Sequence, residues 1–491
     1  MSDIVLIYCK TGMDIASTIA PPHNLLCVAA PLLKAGYKVK IVDQRVNPNW
    51  EVDLLNELKT NPIYIGLSAM AGTQAKFAIE CAKIIRRYDD SISIVWGGAH
   101  PTLLPEQVIE SGLADYVIQR EVDETIVKIT QDIANHKSEK IIDSPLPDME
   151  KLLPEPYELL DIEKYIHPDI YVKNSPRTMD VGQSSRRCPY NCGFCSSASI
   201  GFRRWRAMSA EKAIDMITDT VKRFNLSGIW LRDDEFYINS KRAAKIAEGM
   251  IPLNMRWYTS GTRVDVFNRT PDDQVSLYRR SGAHTLKFGA ESGNNQILKL
   301  MNKGITREET LEANRKAKRN GIVPAFALMC GFPTETFDQV NDTISLAKEL
   351  REENQQAQFE TMSIYTALPG TPMWELAIKN GLKPPTKLEE WGDWNFDEYD
   401  RDGKRIPWFN PQERQALGNL CYLSMLSNAV PNVIDSLQNK PIKYFMKVAY
   451  PIPHKYFQWR FFNAHYKYTG ELSLIHWLRK KVFYSGHNII R

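Results

Sequence analysis

Cysteine is scarce in this chain, with eight in 491 residues, at positions 9, 27, 81, 188, 192, 195, 330 and 421. Such scattered use excludes a secreted disulfide framework and suits a reducing, cytoplasmic setting. Long apolar runs are missing as well. Residues 415–434 lack charge but carry Gln, Asn, Ser, Gly and Pro, which is too polar for the roughly 20 apolar residues of a membrane-spanning helix. The N-terminal stretch MSDIVLIYCK has no basic segment ahead of a long apolar one, so no signal peptide is expected. There is no internal repeat or low-complexity tract, and a net charge of +4 is too small to point to any partner.

The averages hide one asymmetry. From Lys440 to Arg491, ten Lys and Arg face one acid, Glu471, so the rest of the chain is near −5 (4 − 9). Thirteen of those 52 residues are aromatic, a quarter against 10% overall.

Three regions follow one another. In residues 1–140, DIVLIYC, KVKIVDQ, IYIGLSAM and SISIVWGGAH have the length and content of buried strands. LLCVAAPLLKAG, stopped by Gly36, and FAIECAKIIRRY read as helices between them. This alternation predicts a doubly wound, flavodoxin-like parallel sheet with ligands at the C-terminal strand ends, at Asp43, Ser68–Gly72 and the Gly97–Gly98 stretch GGAHPT. Glycines there allow close backbone approach to a ligand, or merely serve turns. Residues 141–177 are rich in Pro and charge and read as a surface linker. From 178 to about 385 a second series, MDVGQSSR, GIWLRDDEF, RWYTSGTR, HTLKFGAES, PAFALMCGF and MSIYTALPG, predicts a partial (β/α)6 parallel barrel. Residues 386–491 follow as a mostly helical C-terminal region. Polar residues gather where the barrel strands end: Arg186, Asp233–Glu235, Arg263, Glu291–Gly293 and Gly331–Pro333.

The cysteine loop, CPYNCGFC from Cys188 to Cys195, opens at that mouth. Spacings of three and two let three thiolates wrap a compact inorganic cube from one loop, and soft sulfur ligands favour iron–sulfur or zinc. A structural zinc would need a fourth ligand, for which Cys330 is available. Asp233 and Asp234 could cap the following helix, Glu291 could sit at a helix N-terminus, and Arg263 could pair with Asp265 or Asp234.

CxxxCxxC at the mouth of such a series, with Phe194 before the last cysteine, resembles the signature of the radical SAM superfamily. FGAESGN, LRDDEF, GFPTET and ALPGTPMW are similar to its later strand motifs, over roughly residues 178–380. The resemblance implies that Cys188, Cys192 and Cys195 hold a [4Fe-4S] cluster, with one iron left for S-adenosylmethionine (SAM). It further implies that Phe194 lies beside the cluster, that Gly289, Glu291 and Ser292 meet the SAM ribose, that Asp234 meets its amino group, and that Arg263 meets its carboxylate. PPHNLLCVAAPLLKAGYKVKIVD and VWGGAHPTLLPEQVIESGLADYVI resemble the cobalamin-binding domain often fused ahead of such barrels. That implies cobalamin lined by Ser68, Gly97, Gly98 and Glu121. No D-x-H-x-x-G is present, so cobalt is expected without a protein histidine, and neither His23 nor His100 is placed for it. Where the family has a G-E-G-E turn, this chain reads REVDE, with Arg120 and Val122 for the glycines. A differently shaped loop is expected there.

The resemblance implies a cobalamin-dependent radical SAM enzyme that methylates an unactivated carbon. One SAM supplies the methyl by way of cobalamin, and a second supplies the radical. An electron donor of flavodoxin or ferredoxin type is required, and no catalytic acid or base is readable. A non-methylating oxidative cyclase, like the anaerobic cyclases of tetrapyrrole biosynthesis, fits the same two domains. A non-catalytic iron–sulfur sensor is the remaining alternative. The basic, aromatic tail has the composition of an interfacial helix, with Leu474, Ile475, Leu478 and Val482 on one stripe. It is expected to rest on the inner membrane face and to deliver a hydrophobic substrate, or else to pack as a cap on the barrel. Nucleic-acid binding is not expected, because no recognition motif accompanies the charge.

Overall fold

The computed structural model describes residues 2–12, 14, 19–169, 172–394, 400, 402–429, 434, 440–468 and 470–472. The first apolar runs form β1 (Ile4–Tyr8), β2 (Val39–Asp43), β3 (Tyr64–Ser68), β4 (Ile94–Gly97), β5 (Tyr116–Gln119) and β6 (Ile141–Asp143). They make a parallel sheet in the order β2-β1-β3-β4-β5-β6. Ile4 pairs with both Val39 and Tyr64, so the winding reverses at β1, where such sheets hold ligands. Ile4 and Leu6 face one core and Val5 and Ile7 the other. A central strand buried on both faces therefore reads as an unbroken apolar run. Gly36, at φ 92°, turns the chain after the helix His23–Lys34, as expected.

The segment read as a linker does more than connect. Ile141 pairs with Val117, adding an edge strand, and the 3₁₀ turns that follow bury Met149, Tyr157 and Tyr165.

The second series contains β7 (Thr178–Asp180), β8 (Ser185–Arg186), β9 (Arg206–Ala207), β10 (Gly228–Leu231), β11 (Arg256–Thr262), β12 (Ala283–Glu291), β13 (Val323–Cys330), β14 (Gln358–Phe359) and β15 (Ser363–Ile364). Seven of these form a curled parallel half-barrel in the order β14-β13-β12-β11-β10-β7, with β15 also on β13. MDVGQSSR, expected as one strand, is two, because Gly182 (φ 81°) turns the chain out of β7 and into β8, which pairs antiparallel with β9. MSIYTALPG is a strand only at Ser363–Ile364. Just before it the Met362 N–H donates to Ser424 Oγ (2.8 Å) of the helix Pro411–Ser424. Capping boxes at Thr306/Glu309 and Thr336/Gln339 start the helices Arg307–Arg319 and Phe337–Glu353.

One apolar core runs from Ile4 and Leu25 through Tyr157 to Ile229 and Leu286. Beyond the barrel the chain returns to the first sheet. Leu388 enters that sheet's other core, the Gly72 N–H donates to Trp391 O (2.8 Å), and Trp391 Nε1 donates to Gln107 Oε1 (2.7 Å). Among the described residues no helix is long and apolar enough to cross a membrane. The helices Lys440–Ala449 and Pro451–Phe462 lie near the end of the described residues, which run to 472, and the Leu474–Val482 stripe lies outside them.

Candidate active site between the two sheets

The cysteine loop follows β8 and is held largely by its backbone. The Gly193 N–H donates to Met301 O (2.7 Å) and its carbonyl accepts from Met373 N–H (2.9 Å). A Cβ on Gly193 would lie 2.9 Å from Met373 Cγ, which accounts for the small residue between Cys192 and Phe194. Burial pushes the Cys188 thiol up to about 12 and also raises Cys195. Free thiols here stay protonated, and a metal must supply the charge that deprotonates them. Cys330 is buried and hydrogen-bonded to Cys421, so the zinc alternative lacks its fourth ligand. Among the described residues no three His, Cys, Asp or Glu side chains converge as they would on a single ion. Three soft donors spread over one loop suit a multi-iron cluster instead.

The strand ends around the loop are tied to it. Glu291 ends β12 at φ 62°, a conformation rare for a residue with a Cβ, and its carboxylate accepts from buried Lys303 Nζ at 2.7 Å. A Cβ on Gly289 would sit 2.5 Å from Glu291 Oε1 and 2.8 Å from Lys303 Nζ, so only glycine leaves room for that pair. Ser292 faces away, toward Thr343 Oγ1 at 3.1 Å. Asn294, not Glu291, caps the next helix. Likewise Asn239 caps the helix after β10. Asp233 is instead buried under Ser184 and Ser185, and Asp234 accepts from the Arg187 N–H at 2.8 Å. Glu235 is buried, accepts from the Tyr237 and Arg263 N–H groups, and burial pushes its carboxyl up to about 8. Arg263 pairs with Asp265 (2.8 Å), one of the two pairings expected, and its Nη1 donates to Cys192 Sγ at 3.4 Å. Lys303 and the partners of Asp233 carry no periodic or motif signal in the sequence.

Facing this mouth is a cavity of about 780 Å³ at the strand ends of the first sheet. Ser68, Gly97 and Gly98 line it with Asn24, whose Nδ2 donates to Ser68 Oγ (2.7 Å). Gly98 (φ 103°) lies where a Cβ would meet Ala69 O at 2.7 Å. Arg120, where the resemblance has glycine, takes φ 69° nonetheless. Arg120 lies over Phe202 (4.3 Å). Burial pushes the Glu121 carboxyl up, but Arg186 (2.9 Å), Arg187 (2.9 Å) and Arg206 (2.8 Å) outweigh it and bring it to about 2. Burial lowers His23 as well, yet Glu155 (2.6 Å) and Asp180 (3.2 Å) hold its imidazolium to about 10. His100 packs on Trp391 with ring centroids 5.3 Å apart, and burial lowers it to about 4. His23 thus lines the cavity as an ion-paired imidazolium, whereas His100 is stacked on Trp391.

Comparison with known proteins gives two family matches, the radical SAM superfamily over residues 183–347 and the B12 binding domain over residues 12–130. An uncharacterised methyltransferase of Pyrococcus horikoshii is 31% identical over 392 residues, covering 75% of this chain and 81% of that protein. An anaerobic magnesium-protoporphyrin IX monomethyl ester cyclase of Rubrivivax gelatinosus is 24% identical, covering 70% of this chain and 64% of that protein. A hopanoid C-3 methylase of Methylococcus capsulatus is 25% identical, covering 72% and 68%. The fold matches OxsB, a cobalamin-dependent SAM radical enzyme solved with aqua-cobalamin and SAM, with a TM-score of 0.69 at 18% identity, over 98% of this chain and 75% of that one.

The residues present fit these cofactors. Three thiols share one loop, and the facing cavity combines an apolar wall of Leu6, Val95 and Ile118 with the polar Ser68 and Asn24, as a large, partly polar ring system requires. The chain belongs to the radical SAM superfamily, among the enzymes that join an N-terminal B12-binding domain to the radical SAM domain and work with a [4Fe-4S] cluster, SAM and cobalamin.

Proposed function

We propose that this enzyme methylates an unactivated carbon of a hydrophobic small molecule, a lipid, polyprenoid or tetrapyrrole. The observation that carries the reading is the cavity at the first sheet's strand ends, which shares Arg186, Arg187 and Asp234 with the approach to the cysteine loop. When bound, the cluster and SAM supply a hydrogen-abstracting radical, and cobalamin carries the methyl group. Cys188, Cys192 and Cys195 would hold the cluster, with Phe194 beside it, and Ser68, Gly97, Gly98 and the Glu121 loop would hold cobalamin. Asp234 would orient the SAM amino group, and the Gly289–Glu291 strand end, with Ser292 behind it, would shape the ribose site. The ion pairs of Glu121 close the joint beside the cavity and help to keep water out. A flavodoxin- or ferredoxin-type donor supplies the electron.

The hopanoid methylase among the relatives supports a lipid-like substrate, and the cyclase relative supports the rival outcome of oxidative ring closure. Anaerobic turnover with methyl-labelled SAM against hopanoid, polyprenoid and tetrapyrrole panels tests both. Label in the product and release of 5′-deoxyadenosine are expected, whereas an unlabelled, oxidised product would establish the cyclase.

The substrate is met at the inner membrane face, through the C-terminal helices. Thirteen large apolar side chains are strongly exposed among the described residues, and seven of them lie between Tyr444 and Tyr468. Tyr444, Phe445, Val448 and Ile452 are 73%, 67%, 65% and 81% exposed at helical spacing, with Lys443, Lys447 and Lys455 beside them. An apolar stripe turned outward and edged by lysine matches an anionic bilayer, each cation near the surface adding about 1 kcal/mol. Sedimentation with phosphatidylserine vesicles should be lost at high salt and in a Tyr444→Ser, Phe445→Ser, Val448→Ser variant. Equal binding by that variant would reject this surface.

A further inference from the structure

We infer that Arg263 sets the reduction potential of the iron–sulfur cluster, through the hydrogen bond its guanidinium donates to the sulfur of Cys192. This rests on the assignment of the three cysteines to the cluster, and it departs from the expectation that Arg263 anchors the SAM carboxylate.

Arg263 follows β11 directly and is only 6% exposed. Each nitrogen of its guanidinium has a partner within the protein. Nε donates to Asp265 Oδ1 (2.8 Å), Nη2 to Lys303 O (2.6 Å) and Nη1 to Cys192 Sγ (3.4 Å). The plane stacks on Tyr190, a residue of the cysteine loop itself, at 3.7 Å. Its own N–H is held by Glu235 at 2.8 Å. A fork fixed on every side cannot swing to follow a ligand, so the contact with Cys192 is built in.

The three thiols are not equivalent. Cys188 has Glu235 near it as well as Arg263, and Cys195 has Asp234 as well as Lys303. The second cation near Cys192, Lys303, is paired with Glu291 at 2.7 Å as Arg263 is with Asp265, but it donates no hydrogen bond to the sulfur. Cys192 alone of the three receives a donated hydrogen bond from a cationic side chain among the described residues. Reduction adds one negative charge to the cluster, and a fixed cation at a ligand sulfur favours the reduced form more than the oxidised one. Arginine does not deprotonate, so the bias holds at any working pH.

The test is an anaerobic redox titration of the reconstituted holoenzyme, followed by electron paramagnetic resonance, with SAM affinity measured in parallel. Arg263→Gln should keep its cluster and its SAM affinity, while its one-electron reduction equilibrium falls about tenfold, which is about 59 mV more negative. Arg263→Lys, which keeps the cation, should lie between the two. In the variant Asp265 still has Arg269 at 3.1 Å. If Arg263→Gln fails to assemble, Arg263→Gln with Asp265→Asn removes the buried carboxylate charge and carries the same measurement. An unchanged potential in these variants overturns the inference, and lost SAM affinity with that unchanged potential would restore the anchoring role. Failure of the wild-type protein to take up any cluster would instead reject the cysteine assignment on which the inference stands.

Discussion

At the strand ends of the first sheet, charge is paired inside the protein before any ligand arrives. Glu121 holds three arginines and His23 bridges two carboxylates, all close to buried. At the strand ends of the second sheet the chain presents three thiols, two of them raised by burial, on a loop fixed mostly through the backbone of Gly193. The first arrangement is complete as a protein and leaves a preformed cavity. The second, on the proposed assignment of the three cysteines, is complete only with metal, whose binding energy would also stabilise the loop. Two parallel sheets of different winding thus follow one rule about where ligands sit and differ in who finishes the site.

The comparison breaks most sharply at the cysteines. Cys188→Ala, Cys192→Ala or Cys195→Ala should each abolish 5′-deoxyadenosine formation while cobalamin uptake by the first sheet persists. Measurable SAM cleavage by Cys195→Ala would contradict the division. Next in size is Glu121→Gln, which leaves Arg186, Arg187 and Arg206 crowded without their carboxylate. Breaking such a buried pair costs about 3–5 kcal/mol, to be read as a loss of denaturant midpoint with iron content per folded protein unchanged.

A smaller effect is expected at the glycines. Gly98→Ala forces a Cβ to 2.7 Å from Ala69 O at positive φ, costing about 1–3 kcal/mol and weakening cobalamin retention on gel filtration. Gly289→Ala drives a Cβ into the Glu291–Lys303 pair and should weaken SAM binding without touching cobalamin. If both substitutions damaged both ligands equally, the two sites would not be separable.

The mildest prediction concerns pH. His23 is raised to about 10, so its contribution is full below its unfolded value near 6.5 and is lost as pH rises through 10. The melting temperature should therefore decline between pH 7 and 10, and the decline should flatten in His23→Gln. Glu121 acts at the opposite end. Its carboxyl is lowered to about 2, so its contribution is present above pH 4.5 and fades as pH falls toward 2.

What the sequence made legible were features whose cause is local. IVLIY is a strand because five large apolar residues in a row can be buried only on both faces of a sheet, and the proposal that CPYNCGFC is a ligand loop rests on spacing alone. The partners of Glu121 lie 65 to 85 residues away and those of His23 more than 130, so no window contains them. Arg120 shows a different limit. Its positive φ of 69°, rare for a residue with a Cβ, comes with a contact over Phe202, 82 residues away, and no local pattern signals it. The broken last strand was hidden because its competitor, Ser424, comes from a helix beyond the barrel.

The return of Leu388–Asp393 to the first sheet has a mechanical consequence. The chain crosses between the two sheets once through residues 141–177 and again when Trp391 is gripped by Gly72 and Gln107. Two separate crossings make a closed circuit, and a closed circuit has no single hinge. A cut anywhere between residues 144 and 156 would leave the halves clasped. Heat or denaturant should therefore part the sheets in one cooperative step, because neither crossing can open far while the other holds.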